Sequence, residues 1–445
     1  MLETAVKAEV SEAGYKDIFS IKDVFLKLNY GEALVITGRS GSGKSTLLKS
    51  LLGIIKLSRK GFFRGQVKIA GLDPYTAKPE ELFKTIGYIP QDPWYGVLGH
   101  TVETEYCLSF SVLGLPCDPR GLDQYGLGGL RNHITYGLSA GQVQRLLWAS
   151  NIDKGGKVFF MDEPGVYIDE DGKKKFLNLI EKHLDMGGAA IIVDHDPLLW
   201  SKLEPKLLVL ENGRVKYFGV FKEEALPFLK TSMLKPRRRK HYDENTEEKL
   251  LAENIWFRYP GQEYIIRNTS ISIRGGEIIG ITGPNGIGKS TLLKLLAGIY
   301  RPSKGRIIRS GKTILIPENP LLFFSGATIK EELQISCGEN CSEDKIQSIA
   351  EEFGIQHILD KPLAETSSGE RRRAALASAF LAGYDVFLLD EPSGGLDNYI
   401  VTNVIESIVS AAEKGRAVII ASHDKRLEKI YDKTCKFTEG SLECR

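Results

Sequence analysis

The chain has 445 residues, and a single hydrophobic core stops growing near about 250–300, so two domains are expected. Hydrophobic residues make up 42% and charged residues 26%, which excludes a largely disordered chain. The 59 basic and 57 acidic residues leave a net charge of +2, which argues against a strongly cationic nucleic-acid binder.

Taken in chain order, residues 1–7 lack a charged-then-apolar leader pattern, and the chain reads as cytoplasmic. Residues 33–37 (ALVIT) form a short apolar run that predicts a buried strand. The loop GRSGSGKST follows, and Lys44 opens a helix through Leu51. Strand, GxxxxGK[ST] and helix in that order define a P-loop. Gly38, Ser40, Gly41, Ser42, Gly43 and Thr46 then belong to the phosphate cradle, Lys44 reaches the β- and γ-phosphates, and Ser45 holds Mg²⁺. Residues 47–57 are the best membrane candidate, but the run is short and carries Lys49 and Lys56, so no span is expected. Ser139, ahead of AGQVQR, is a good helix cap and its helix start an anion site. The apolar run 158–161 ends in Asp162-Glu163, which places two carboxylates at a strand's C-terminal end. One can orient the Mg²⁺ shell and the other can polarise the attacking water. His195 ends a further apolar run and can donate to a γ-phosphate. Residues 207–219 read as a closing strand and turn, and 235–248, with Pro236 and alternating charge blocks, as a linker.

The pattern then repeats. GPNGIGKSTLL matches GRSGSGKSTLL, with Lys289 lying 245 positions after Lys44. Gly283, Asn285, Gly286, Gly288, Lys289, Ser290 and Thr291 form the second loop. Asp390-Glu391 matches Asp162-Glu163, and His423 matches His195, each histidine 33 positions after its aspartate. The domains are therefore expected at 1–234 and 249–445. The six cysteines show no metal-ligand spacing and are expected to be reduced thiols.

P-loop, Leu138-Ser139-Ala140-Gly141-Gln142, DE strand and histidine, in order and twice, resemble the ATP-binding-cassette (ABC) ATPases. The second signature is Thr366-Ser367-Ser368-Gly369-Glu370. The resemblance implies an α/β fold: two tandem P-loop NTPase domains, each with a mostly parallel core sheet, an antiparallel β-subdomain and a helical subdomain. It implies ATP and Mg²⁺ as cofactors. It also implies composite sites, in which Lys44, Ser45, Gln91, Asp162, Glu163 and His195 meet Ser367 and Gly369, while Lys289, Ser290, Asp390, Glu391 and His423 meet Ser139 and Gly141. Glu163, Glu391, His195 and His423 are the implied catalytic residues. Ser45, Gln91, Asp162, Ser290, Glu318 and Asp390 are the implied metal-site residues. Asp169 and Asp397 would be the D-loop aspartates. Tyr259 would stack adenine in one site, with Tyr15 as a loose counterpart in the other and Phe19 as its alternative. Glu318 replaces the usual glutamine, and Ala140 and Ser368 each replace a glycine, so unequal hydrolysis rates are expected.

Thr101-Val102-Glu103-Thr104-Glu105 and Leu113-Gly114-Leu115-Pro116 are similar to segments of the ATPases of energy-coupling-factor importers. That similarity implies ATP-driven uptake of a vitamin or transition-metal ion, hydrophobic membrane subunits as partners, no nucleic acid, and a place on the inner face of the cell membrane. The cassettes would pair within one chain or between two. Thr101 and the glutamates also read simply as a capped helix start. The rival is a twin-cassette ATPase acting on ribosomes or nucleic acid, against which stand the short linker and the near-neutral charge.

Overall fold

Two kinds of strand pattern organise each half of the chain. In Thr4–Tyr15, Val6, Ala8 and Val10 are buried while Lys7 and Glu9 are exposed, the period-two signature of a sheet with one wet face. In Val158–Asp162 every residue is buried, the signature of a strand covered on both sides. The computed structural model describes residues 3–16, 18–39, 41–168, 170–221, 246–284, 286–319, 322–338, 341–366, 368–394, 396 and 398–444. The chain divides into two units, Met1–Thr231 and Ser232–Arg445.

The first unit runs β1 (Thr4–Tyr15), β2 (Phe19–Asn29), β3 (Ala33–Thr37), α1 (Lys44–Leu51), β4 (Gly61–Ile69), α2 (Pro79–Thr85) and β5 (Ile86–Ile89). It continues through α3 (Val102–Val112), α4 (Ala140–Asp153), β6 (Val158–Asp162), α5 (Glu170–Asp185), β7 (Ala189–Val193), β8 (Lys206–Glu211) and β9 (Arg214–Val220). An antiparallel sheet has the order β2-β1-β4, and a second has the order β5-β6-β7-β3-β8-β9, parallel except at β9. Strand β6 faces two cores. Phe159 and Met161 join one with Trp148, Phe176 and Trp200, while Val158 and Phe160 join another with Leu47, Leu48 and the inner face of β1.

The second unit repeats this with β10 (Glu248–Phe257), β11 (Ile266–Arg274), β12 (Ile278–Thr282), α6 (Lys289–Leu296), β13 (Lys304–Arg309), β14 (Thr313–Ile316), α7 (Ile329–Cys337) and α8 (Glu343–Glu352). It ends in α9 (Ser368–Leu381), β15 (Val386–Asp390), α10 (Asn398–Glu413), β16 (Ala417–Ala421), β17 (Lys433–Thr438) and β18 (Ser441–Cys444). The sheet orders are β11-β10-β13 and β14-β15-β16-β12-β17-β18, the first unit's topology again. Phe387 and Leu389 face one core, Val386 and Leu388 the other.

Two expectations change here. Residues 222–245, which include most of the expected linker 235–248, lie outside the described residues, and Glu248, the linker's last expected position, already opens β10. The cysteines are not thiols: Cys107–Cys117, Cys337–Cys341 and Cys435–Cys444 are disulfides, and no free cysteine remains. The expectation rested on the usual redox compartment. The fold instead brings each pair together locally, for example by placing Cys435 opposite Cys444 across the β17–β18 ladder.

Candidate active site

Strand β3 delivers the first glycine-rich loop to α1 through Gly43, whose φ is 104°. A Cβ there would lie 2.6 Å from Ile21 Cγ2 and 2.8 Å from the Phe19 ring, so the position requires glycine for both conformation and space. Gly288 repeats this with φ 118° and Ile265 Cγ2 at 2.7 Å. The Lys44 ammonium lies across its loop, donating to the Gly38 carbonyl at 2.7 Å and the Arg39 carbonyl at 3.1 Å. Lys289 donates to Gly283 and Pro284 at 2.7 and 3.0 Å. Both lysines are buried. Each loop thus presents a fixed cation beside a helix N-terminus, the arrangement that receives phosphate. Ser40 and Asn285 lie outside the described residues.

The Ser45 hydroxyl hydrogen-bonds the buried Asp162 carboxyl, and Asp162 Oδ1 is buried without a partner. Ser290 and Asp390 form the matching pair. Burial pushes both aspartates upward, Asp390 to about 6, against the pull of the serine hydroxyls and the loop lysines. A hydroxyl beside an unsatisfied carboxylate oxygen at the loop mouth fits the hard oxygen donors that Mg²⁺ takes. A cation held there would neutralise phosphate charge.

Glu163 and Glu391 follow directly, each with a left-handed backbone, φ 48° and 45°. Such strain in a non-glycine residue points to function. Their N–H groups donate to the Val193 and Ala421 carbonyls at 2.8 and 2.9 Å, which fixes the turn against β7 and β16. The two carboxylates then meet different neighbours. Glu163 Oε2 accepts from Gln91 Nε2 at 2.9 Å, while His195 Nδ1 stands 4.0 Å from Oε1 and 3.6 Å from Asp194 Oδ1. Burial, with Asp162 and Asp194 adding negative charge, pushes Glu163 up to about 7, although His195 and Lys44 pull against it. In the second unit Ser422 stands where Asp194 does. Its hydroxyl donates to Glu391 Oε2 at 2.8 Å, and His423 Nδ1 lies 2.9 Å from Oε1. Burial would raise Glu391, but the bond to His423 and the charges of His423 and Lys289 hold it below the ordinary carboxylate range. The Asp194-to-Ser422 difference between VDHD and ASHD is therefore a difference in the charge around the adjacent glutamate.

Gln91 and Glu318 each lie two residues beyond an edge strand of the parallel sheet, β5 and β14. Ser139 caps α4: its hydroxyl accepts from Gln142 N at 3.3 Å and its N–H donates to Gln142 Oε1 at 2.8 Å. Gly141 lies in the first turn of α4, and Gly369 is buried in the first turn of α9. Ser367, Asp169 and Asp397 lie outside the described residues. Tyr259 places its hydroxyl 3.2 Å from Thr291 Oγ1, at the second loop. In the first unit Tyr15 and Phe19 pair across the β1–β2 turn, and Phe19 is the one that packs on Gly43.

One pair of residues lay hidden in the sequence. Glu105 is 5% exposed, and its Oε2 accepts from Leu98 N at 2.7 Å and Gly99 N at 2.5 Å. Glu332 does the same for Ser325 N at 2.7 Å and Gly326 N at 2.9 Å. A Cβ on Gly99 or Gly326 would strike the helix backbone at 2.4 or 2.6 Å. The repeated G-x-T-x-x-x-E was the available signal: the threonine caps the helix and the glutamate ties down the loop after Gln91 or Glu318.

The ABC transporter family matches the chain at residues 21–166 and again at 266–394, more than half its length. The chain belongs to the ABC transporter family. It is an ABC-type ATPase with two cassettes, as the repeated motifs implied. A Bacillus anthracis protein named for an inferred role as an ABC transporter ATP-binding protein is 26% identical over 95% of this chain and 87% of its own length. A Saccharolobus solfataricus protein of the same description is 26% identical over 96% and 90%. Among solved structures, the archaeal ribosome recycling factor aABCE1 in complex with ribosomal stalk protein aP1 is similar at 20% identity, with a TM-score of 0.62, over 97% of this chain and 89% of that one. ABCE1 bound with archaeal Pelota to the ribosome is similar at 20% identity, with a TM-score of 0.68, over 97% and 77%. These structures share the two-cassette fold. They correct the expectation of hydrophobic membrane subunits, and no nucleic acid, as partners: these two structures hold ribosomal components, the stalk protein in one and the ribosome in the other. No helix among the described residues is long and apolar enough to cross a membrane.

Proposed function

We propose that this ATPase runs an ATP-driven cycle on a ribosomal or other ribonucleoprotein partner in the cytoplasm. The supporting observation is the whole-length likeness to two-cassette proteins solved with a ribosomal stalk protein and with Pelota on the ribosome. In this reading Lys44 and Lys289 bind the β- and γ-phosphates, Ser45 with Asp162 and Ser290 with Asp390 hold Mg²⁺, and Gln91 and Glu318 approach the metal shell. Glu163 and Glu391 polarise the attacking water, and His195 and His423 face the γ-phosphate. Ser139 with Gly141, and Ser367 with Gly369, are the signature residues that contact nucleotide phosphate. Tyr259 and, in the first cassette, Phe19 or Tyr15 carry the adenine. Glu163 stands beside Asp194 and Glu391 beside Ser422, so the two sites turn over at different rates.

The test is sedimentation of the native full-length protein through a density gradient with a non-hydrolysable ATP analogue. Co-migration with ribosomal particles, reversed by ATP, supports the reading. Recovery in detergent-solubilised membranes with multi-span proteins overturns it, in favour of the transport role for which the relatives are named.

A further inference from the structure

Strand β10 alternates its side chains across the small antiparallel sheet of the second cassette. Ile255 and Phe257 turn into the core, whereas Trp256 is only half-buried, on the outer face. Lys304 of β13 is its cross-strand partner. The turn that follows β10 brings Tyr264 edge-on to Trp256, with ring centroids 5.3 Å apart and planes at 83°. Arg258 lies 5.0 Å from the Tyr264 ring, and Lys304 lies 5.6 Å from the Trp256 ring and 6.0 Å from the Tyr264 ring. Trp256, Arg258, Tyr264 and Arg267 line one open depression. Among the described residues neither Arg258 nor Lys304 has a carboxylate partner within 4 Å. Arg267 meets the exposed Glu263 at 3.6 Å and donates through Nε to the Tyr264 carbonyl at 3.0 Å. The depression is separate from the nucleotide site, because Tyr259 turns inward to Thr291 and to the Phe257 and Tyr300 rings.

We propose that this outer face of the second cassette binds single-stranded RNA, with a base stacked against Trp256 or Tyr264 and the backbone phosphates held by Arg258, Arg267 and Lys304. Two aromatic rings at right angles offer stacking surfaces in two directions, and the three cations beside them supply charge for the backbone phosphates. An acidic polypeptide would use the cations but leave the rings without a role. The proposal deepens the ribonucleoprotein reading and rests on it only for the identity of the partner.

The experiment uses the full chain with a non-hydrolysable ATP analogue at saturation, so that the cassette sites are filled. Fluorescence anisotropy follows fluorescein-labelled oligouridylate and oligoadenylate of about ten nucleotides, within the site size of such surfaces. Trp256→Ala is expected to weaken binding roughly tenfold, and Trp256→Phe to retain most of it. Arg258→Gln and Lys304→Gln are each expected to reduce the salt dependence by about 0.7 in slope, the share of one phosphate contact to a single strand. Basal ATP hydrolysis should stay unchanged in all of them. No binding by the wild type, or equal binding by the wild type and the double variant Arg258→Gln/Lys304→Gln, overturns the proposal. So does competition by a polyglutamate peptide as strong as that by unlabelled oligonucleotide. If Trp256→Ala fails to fold, the charge variants alone decide. The sedimentation experiment fails or succeeds separately: oligonucleotide binding without ribosome association sinks the partner, and ribosome association without oligonucleotide binding sinks this surface.

Discussion

Replacing Glu105 by alanine should destabilise the first cassette by about 3 kcal/mol. In the native fold one carboxylate oxygen satisfies two consecutive backbone N–H groups, those of Leu98 and Gly99. Deletion leaves two donors without their acceptor, and each unsatisfied buried donor costs about 1–3 kcal/mol. The two donors together would cost about 2–6 kcal/mol, and partial entry of water into the vacated space brings the expected sum to the lower half of that range. In a unit of this size each kcal/mol moves the midpoint by about 2–4 °C, so a fall of roughly 6–12 °C is expected. Glu105→Gln keeps an acceptor oxygen but loses the charge, and should cost about half as much. Differential scanning calorimetry of the full chain is the assay. Glu332→Ala serves as an internal comparison, because it should lower the transition of the second cassette. A midpoint shift below about 1 °C for Glu105→Ala, or equal losses for the alanine and glutamine variants, would refute the reasoning.

Other consequences can be measured in the same protein. Glu163→Gln and Glu391→Gln should each remove most hydrolysis at one site, by roughly 10²–10⁴-fold there, and steady-state turnover should fall only in part until both are changed; unchanged turnover in both single variants contradicts the assignment. Gly43→Ala and Gly288→Ala should each abolish one of two nucleotide sites by calorimetric titration, because the added Cβ meets Ile21 or Ile265 inside contact distance. Lys154 is buried against the Phe83 ring at 3.8 Å, and burial pushes its ammonium down to about 8. The unfolded chain therefore holds more protons between about pH 8 and 10.5, and stability should rise with pH across that window by up to about 3 kcal/mol. Lys154→Met should flatten that rise in urea denaturation curves; a wild-type profile already flat from pH 7 to 10 would contradict it.

The parts legible in the sequence are those whose chemistry demands adjacent residues. A glycine-rich loop, a DE pair after four apolar residues and a histidine after a strand each lie within a few positions, and each occurs twice. The fold follows from them because strands buried on both faces carry unbroken apolar runs. What could not be read depends on contacts between distant residues or on which way a charge points. Glu105 looks like a helix-dipole residue from its position, yet the side chain folds back into the protein. Asp194 and Ser422 were visible as a difference between the repeats, but its meaning needs Glu163 and Glu391 beside them. Trp256 and Tyr264 come together only when bulged β10 sets the face of Trp256 and the turn after it returns Tyr264. The residues that resembled those of energy-coupling-factor importers include Thr101 and Glu105, and local structure accounts for both, one as a cap and the other as a loop tether.

The three disulfides span 10, 4 and 9 positions, and each closes within one cassette. Cross-links this short stiffen small loops without tying one cassette to the other. The unfolded form of an oxidised chain therefore has nearly the same reach as that of a reduced one. Non-reducing electrophoresis would barely register the bonds, whereas peptide mapping under alkylation would find no reactive sulfur until a reductant is added. The placement of six sulfur atoms in this way keeps each oxidation event local to the cassette that carries it.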